Sequence, residues 1–210
     1  MIPTYEPLQV SKCGKCGKVI AEPKELIIKG SRNLAEHYFD LETTGLDPEH
    51  DKIITIQIQE LAGRTGEPIG DIDILKEWES SEKEIIEKVM PLLTCENPFE
   101  FIIVGKNLMF DFMFLDERAK KYGLKGMDLH CIHDRAFIDL KHSLVMINEG
   151  VFRGYNKLLK KGKFANVQVP KLYEERKYEE IVEYIKEEAK IFVDAYQKLR
   201  KNMPSLAKHL

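Results

Sequence analysis

The apolar positions of this chain change period in an orderly way, and each change predicts an element. "EHYFDLET" (36–43) reads as a short strand. "KIITIQIQEL" (52–61) alternates Ile with Thr and Gln at period two, which suits a strand with one polar face. "EPIGDIDIL" (67–75) alternates again, and the intervening "AGRTG" predicts a hairpin turn. "SSEKEIIEKVMPLL" (80–93) opens with serine caps, then places Ile85, Ile86, Val89 and Leu92 at helical spacing. "EFIIVG" (100–105) is a continuous apolar run, as expected of a central strand buried on both faces. "LMFDFMFLDERAKKYG" (108–123) predicts a helix ending at Gly123, and "RAFIDL" (135–140) a fifth strand before a mostly helical region. "YEEIVEYIKEEAKIFVDAYQKLR" (178–200) is a long amphipathic helix with Ile181, Tyr184, Ile185, Ile191 and Phe192 in its apolar share. Three strands in a meander, then helix, strand, helix, strand and helices, predict an α/β domain with a mixed five-stranded sheet.

Residues 1–30 stand apart from this pattern, and a boundary near Gly30 or Ser31 divides a small N-terminal segment (1–30) from the main domain (31–210). The pair in "KCGKCGK" resembles one knuckle of a zinc ribbon, with Cys13 and Cys16 as ligands. No second C-x-x-C follows. Completion of a site falls to Cys95, Cys131, His130, His133, His37 or a second subunit; a knuckle without metal, or a free thiol pair, fits the same residues. The four cysteines lack disulfide-framework spacing, which points to a reducing compartment.

At 210 residues and 43% hydrophobic content, the chain has enough material for one sizeable core. Its net charge of −3 confines any nucleic-acid site to a local patch. No apolar run reaches the roughly 18 residues of a membrane span, and "MIPTYEPLQV" lacks a charged-then-apolar leader, so the expectation is a soluble cytoplasmic protein.

Two carboxylates interrupt the first strand of the main domain. Asp40 and Glu42 lie two apart, so both side chains share one face, while Phe39 and Leu41 point into the core. An isolated D-x-E is equally compatible with a solvated edge strand, but the turn-forming "TTGLDP" that follows belongs to the kind of loop that carries function. Asp111 sits in the first turn of the next helix among Phe110, Phe112 and Phe114, with Asn107 placed to cap. A favourable helix dipole would account for that acid by itself. On the last helix, Tyr184 and Glu188 are four apart and share a face. Carboxylates converging on one pocket repel by about 4 kcal/mol per pair at 4 Å and an effective dielectric of 20. Cations relieve that repulsion, and oxygen donors select Mg²⁺ or Mn²⁺. Two such ions suit in-line displacement at a phosphodiester. Between Gly150 and Tyr173 the chain carries Arg153, Lys157, Lys160, Lys161, Lys163 and Lys171 and no acid, interleaved with Phe152, Tyr155 and Phe164. That mixture suits single-stranded nucleic acid, although a solvated lysine-rich loop has the same composition.

"FDLETTGLD" and "GKNLMFDFMFL" together resemble the first two motifs of the DEDD-type 3′–5′ exonucleases, whose fold is ribonuclease H-like. They are similar to the proofreading domains of family B DNA polymerases and to small stand-alone archaeal and bacterial proteins over about residues 34–200. The third motif of that family is either Tyr-x-x-x-Asp or His with Asp five residues later. His133 and His142 are followed at that distance by Ile138 and Ile147, so Tyr184 implies the tyrosine subclass. Here the chain departs from the pattern, with Glu188 where the family has Asp. The resemblance implies a metal-dependent 3′–5′ exonuclease on single-stranded nucleic acid, DNA favoured over RNA, with a replication or repair protein as partner. By the same resemblance, Asp40, Glu42, Asp111 and Glu188 hold two Mg²⁺ or Mn²⁺ ions, and Tyr184 orients a water. Thr43, Leu46, Asn107 and Phe110 are expected to meet the terminal nucleotide, and the basic stretch to offer Arg153, Lys157 and Lys160 to the strand. Two other outcomes stay open: a nuclease-like binding module weakened at Glu188, and an RNA exonuclease.

Overall fold

The computed structural model describes residues 9–12, 19–22, 36–94, 101–128, 135–154, 158–159 and 168–208. Gln9–Lys12 (β1) and Val19–Glu22 (β2) pair antiparallel as a separate two-stranded sheet. Cys13 and Cys16 fall in the connection between these strands, so the zinc expectation lies outside the described residues.

The main sheet contains Glu36–Thr43 (β3), Ile53–Leu61 (β4), Asp73–Lys76 (β5), Ile102–Gly105 (β6) and Phe137–Asp139 (β7). Their order is β5-β4-β3-β6-β7: β3 pairs antiparallel with β4 and parallel with β6, and β6 is parallel with β7. The expected mixed five-stranded sheet is therefore present. The helices are Glu82–Leu93 (α1), Leu108–Lys121 (α2), Leu140–Ile147 (α3), Val169–Glu174 (α4) and Tyr178–Asn202 (α5). Ser81 caps α1 as its sequence predicts, accepting from the Glu84 N–H at 3.2 Å. The third strand is shorter than its alternation suggests. Gly70, in the left-handed region at φ 71°, interrupts it, and only an isolated Leu61–Pro68 bridge remains of its first half.

Alternation in β3 divides the core between two layers. Phe39 and Leu41 face Ile85 and Val89 of α1 and Phe112 and Leu115 of α2. Tyr38 faces the other way, with Leu61, Val104, Leu144 of α3 and Phe192 of α5. The polar face predicted for β4 exists but does not meet water: Thr55 and Gln57 are buried.

Helix α5 follows β3 in reverse, four helical residues to every two of the strand. Tyr196 Oη donates to Glu36 Oε2 at 2.7 Å, and Arg200 reaches Glu36 Oε1 at 2.8 Å. One turn earlier the Phe192 ring packs on Tyr38 at 5.0 Å. Four helical residues rise about 6 Å and two strand residues about 6.6 Å, so the match persists. It brings Glu188 over Asp40 and Tyr184 toward Glu42.

A second tether holds the turn after Glu42. Arg118 of α2 pairs bidentately with Glu82 of α1 at 2.6 and 2.7 Å, both nearly inaccessible. Glu82 also accepts from the Ile53 N–H and from Tyr122 Oη, and Arg118 donates to the Pro48 carbonyl. Removing one partner leaves the other charged and buried. Glu82→Ala is therefore expected to destabilise the protein by about 3–5 kcal/mol. Urea unfolding would read this as a lower midpoint with an unchanged slope.

Candidate active site

The acids gather at the carboxyl-terminal half of β3, past its parallel pairing with β6 at Glu36–Tyr38 and opposite Gln57 and Thr55 of β4. Asp40, Glu42 and Glu188 each bring a carboxylate oxygen there, and the three oxygens lie within 4.8 Å of one another. Tyr38 Oη donates to Asp40 Oδ2 at 3.1 Å. Burial and the charges of Asp40 and Glu188 push the Tyr38 phenol well above its ordinary pKa. Tyr184 is pushed far up as well, by burial first and then by Glu42 and Glu188, and its hydroxyl bonds Glu188. Both phenols therefore stay protonated and act as donors.

Asp111 approaches from the other side of β3. It is 3% exposed, and its pKa is raised well above the ordinary carboxylate range by burial and then by the charge of Asp40. The backbone N–H of Leu41 and its own amide pull in the opposite direction. Gly105 makes this approach close. A Cβ there would stand 2.4 Å from Leu108 Cδ2 and 2.8 Å from the Phe39 carbonyl oxygen, so a larger residue would push α2 away from β3.

Asn107 does not cap α2 with its side chain. It occupies the N-cap position in the left-handed region, at φ 66°, and its Oδ1 accepts from Lys141 Nζ at 2.6 Å. The cap comes from Asp139 at the end of β7, whose oxygens accept from the Asn107 and Leu108 amides at 2.8 and 2.9 Å. Asp139 also caps α3 through the Lys141 N–H. Nothing local in the sequence marks this role, because it depends on two parallel strands ending side by side.

The other expected residues are more dispersed. Thr43 follows a bulge in β3 and donates its hydroxyl to the Gly45 carbonyl at 2.5 Å. Leu46 is 82% exposed at the turn, and Phe110 packs on Phe114 at the start of α2. Arg153 is exposed in the segment after α3. Lys157 and Lys160 lie outside the described residues, as do Cys95, His130, Cys131 and His133.

A family model described as the RNase H superfamily matches residues 37–161, more than half the chain. The chain belongs to the RNase H superfamily. This RNase H superfamily chain is 28% identical over 148 residues to an uncharacterized protein of Methanocaldococcus jannaschii, covering 65% of this chain and 69% of that one. A product-bound exonuclease I structure shares 12% identity at a TM-score of 0.55 over 85% of this chain. The zinc-bound E. coli exonuclease I complex with single-stranded DNA shares 14% at 0.56 over 83%. The chain spans less than half of either structure, 46% and 42%, and the likeness is one of fold.

The acidic cluster carries a stability cost that depends on pH. Asp111's folded pKa is raised above its unfolded value, so the native state holds that proton more tightly. Stability of the cation-free protein therefore falls as pH rises from the ordinary carboxylate range through the raised value. Asp111→Asn removes this term. In EDTA at neutral pH its Tm is expected to rise by about 2–4 °C, the shift that ~1 kcal/mol gives a chain of this size.

Proposed function

We propose that this chain is a metal-dependent 3′–5′ exonuclease that hydrolyses the terminal phosphodiester of single-stranded nucleic acid, DNA in preference to RNA. The observation that carries the reading is the convergence of Asp40, Glu42 and Glu188 on one point, with Asp111 beneath. The donor set fits hard divalent ions. Every acid contributes oxygen, and the carboxylates crowd one another while a buried neighbour resists ionisation. Asp40, Glu42, Asp111 and Glu188 would hold Mg²⁺ or Mn²⁺, which supply Lewis acidity and lower the pKa of bound water.

The rest of the chemistry falls to the chain itself. Tyr184, its phenol pushed up by burial and by Glu42 and Glu188 and its hydroxyl bonded to Glu188, is placed as a hydrogen-bond donor beside the acids. Its bond to Glu188 restrains the longer carboxylate that stands where related enzymes have Asp. Because Glu188 reaches the other two acids, its extra methylene is compatible with activity, which favours an enzyme over a weakened binding module. The exposed Leu46 and the turn it occupies offer an apolar contact to a terminal base, with Thr43, Asn107 and Phe110 nearby in the motifs. Arg153, Lys157 and Lys160 serve the phosphates further along the strand. Single-stranded DNA is bound by the exonuclease I relative, which supports the substrate class proposed here. A replication or repair protein is the proposed partner, and residues 1–30 a separate zinc-knuckle-like segment.

Purified protein with 5′-labelled single-stranded DNA or RNA, in Mn²⁺ or EDTA, tests the reading. A ladder shortening from the 3′ end is expected with Mn²⁺ and not with EDTA, faster on DNA. Asp40→Ala should abolish it, and Glu188→Asp, by retracting the carboxylate by about 1 Å, should slow it on the order of 100-fold. Binding without cleavage, indifferent to Glu188→Asp, would support the binding module instead.

A further inference from the structure

Gln57 stands beside the acidic cluster, and neither family motif includes it. In the β3–β4 ladder it is directly opposite Asp40, and Thr55 is opposite Glu42. Cross-strand partners point to the same face, with Cβ atoms about 5 Å apart, so both side chains share the layer that α5 covers. Gln57 is 1% exposed and Thr55 fully buried. Gln57 Nε2 donates to Thr55 Oγ1 at 3.1 Å, while Gln57 Oε1 meets no donor among the described residues.

A buried carbonyl oxygen without a donor is destabilising, and an apolar residue of the same shape would avoid the penalty. Its surroundings deepen the deficit. Ionised Asp40, Glu42 and Glu188 only accept hydrogen bonds. The tyrosine hydroxyls are already committed, Tyr38 to Asp40 and Tyr184 to Glu188. The amide oxygen thus lacks a proton donor among the described residues, beside carboxylates that crowd one another. A hydrated divalent cation held by those carboxylates supplies that donor, since Mg²⁺ keeps several of its waters when bound by a few carboxylates.

We infer that Gln57 is a positioning residue whose carboxamide oxygen accepts a hydrogen bond from the water shell of a divalent cation held by Asp40, Glu42 and Glu188. This rests on the reading of those acids as a cation site. In this arrangement Thr55 takes the amide's nitrogen end and the oxygen is left without a donor among the described residues. The reversed amide would place its NH₂ against a carboxylate, making Gln57 part of the cation-free fold. The two arrangements predict opposite behaviour in EDTA.

Mn²⁺ titration of the full chain, followed by calorimetry and water-proton relaxation, separates them when paired with thermal unfolding in EDTA. Gln57→Met is expected to bind Mn²⁺ about tenfold more weakly while its Tm in EDTA stays level or rises. Gln57→Glu should bind Mn²⁺ more tightly and melt earlier in EDTA, which keeps the test decisive if the first variant folds poorly. Asp40→Asn is the control. A wild-type protein that binds Mn²⁺ no better than Asp40→Asn would remove the cation site itself. A wild type that binds, beside a Gln57→Met that binds equally and melts earlier, would overturn the role of Gln57 and leave the site intact.

Discussion

The register between α5 and β3 determines what this molecule can do. Four helical residues (about 6 Å) and one two-residue strand repeat (about 6.6 Å) differ in length by less than an ångström. A helix laid antiparallel on the strand therefore meets it at matched intervals over several turns. Glu36, Tyr196 and Arg200 fix one end of the match through bonds of 2.6 to 2.8 Å, and Phe192 on Tyr38 continues it. Glu188 then arrives at Asp40 with no special local device. A slip of one residue on the strand would turn Asp40 and Glu42 toward α1 and α2, against Ile85, Val89, Phe112 and Leu115. The tether at Glu36 thus secures the chemistry from about two helical turns away.

The same region shows the usual tension between stability and function. Three carboxylates within 4.8 Å, a buried Asp111 and an amide oxygen lacking a donor all oppose folding in the absence of a cation. Offsetting contributions come from groups away from these acids, notably the Glu82–Arg118 pair and the apolar layers on both faces of the sheet. The two phenols, held protonated by burial and by the acids around them, temper the repulsion without neutralising it.

Much of this was legible in the sequence, for physical reasons that differ by element. Strand β3 was readable because alternation and burial agree along it. Residues Phe39 and Leu41 had to be inside, so Asp40 and Glu42 had to share the opposite face. The match of Tyr184 to Glu188 was readable because i and i+4 neighbours on a helix are a local property. Asp139 was not, since capping another helix from a strand end is a tertiary relation. Gln57 was hidden by a sound rule: alternating Ile and Gln suggests a strand with one wet face, whereas α5 covers that face. Asn107 was placed at the right position, with the wrong atom assigned to the cap. The end of β5 agreed with its pattern, and its start did not, because Gly70 turns the chain out of the ladder.

The central claim is that the acids on β3 and α5 form a divalent-cation site. Anomalous diffraction from crystals grown with Mn²⁺ addresses it without reference to activity or substrate. The account predicts a strong peak bounded by the carboxylates of Asp40, Glu42 and Glu188. Saturating Mn²⁺ with no density there, or density confined to the exposed Asp47, Glu49 and His50 group, would contradict it.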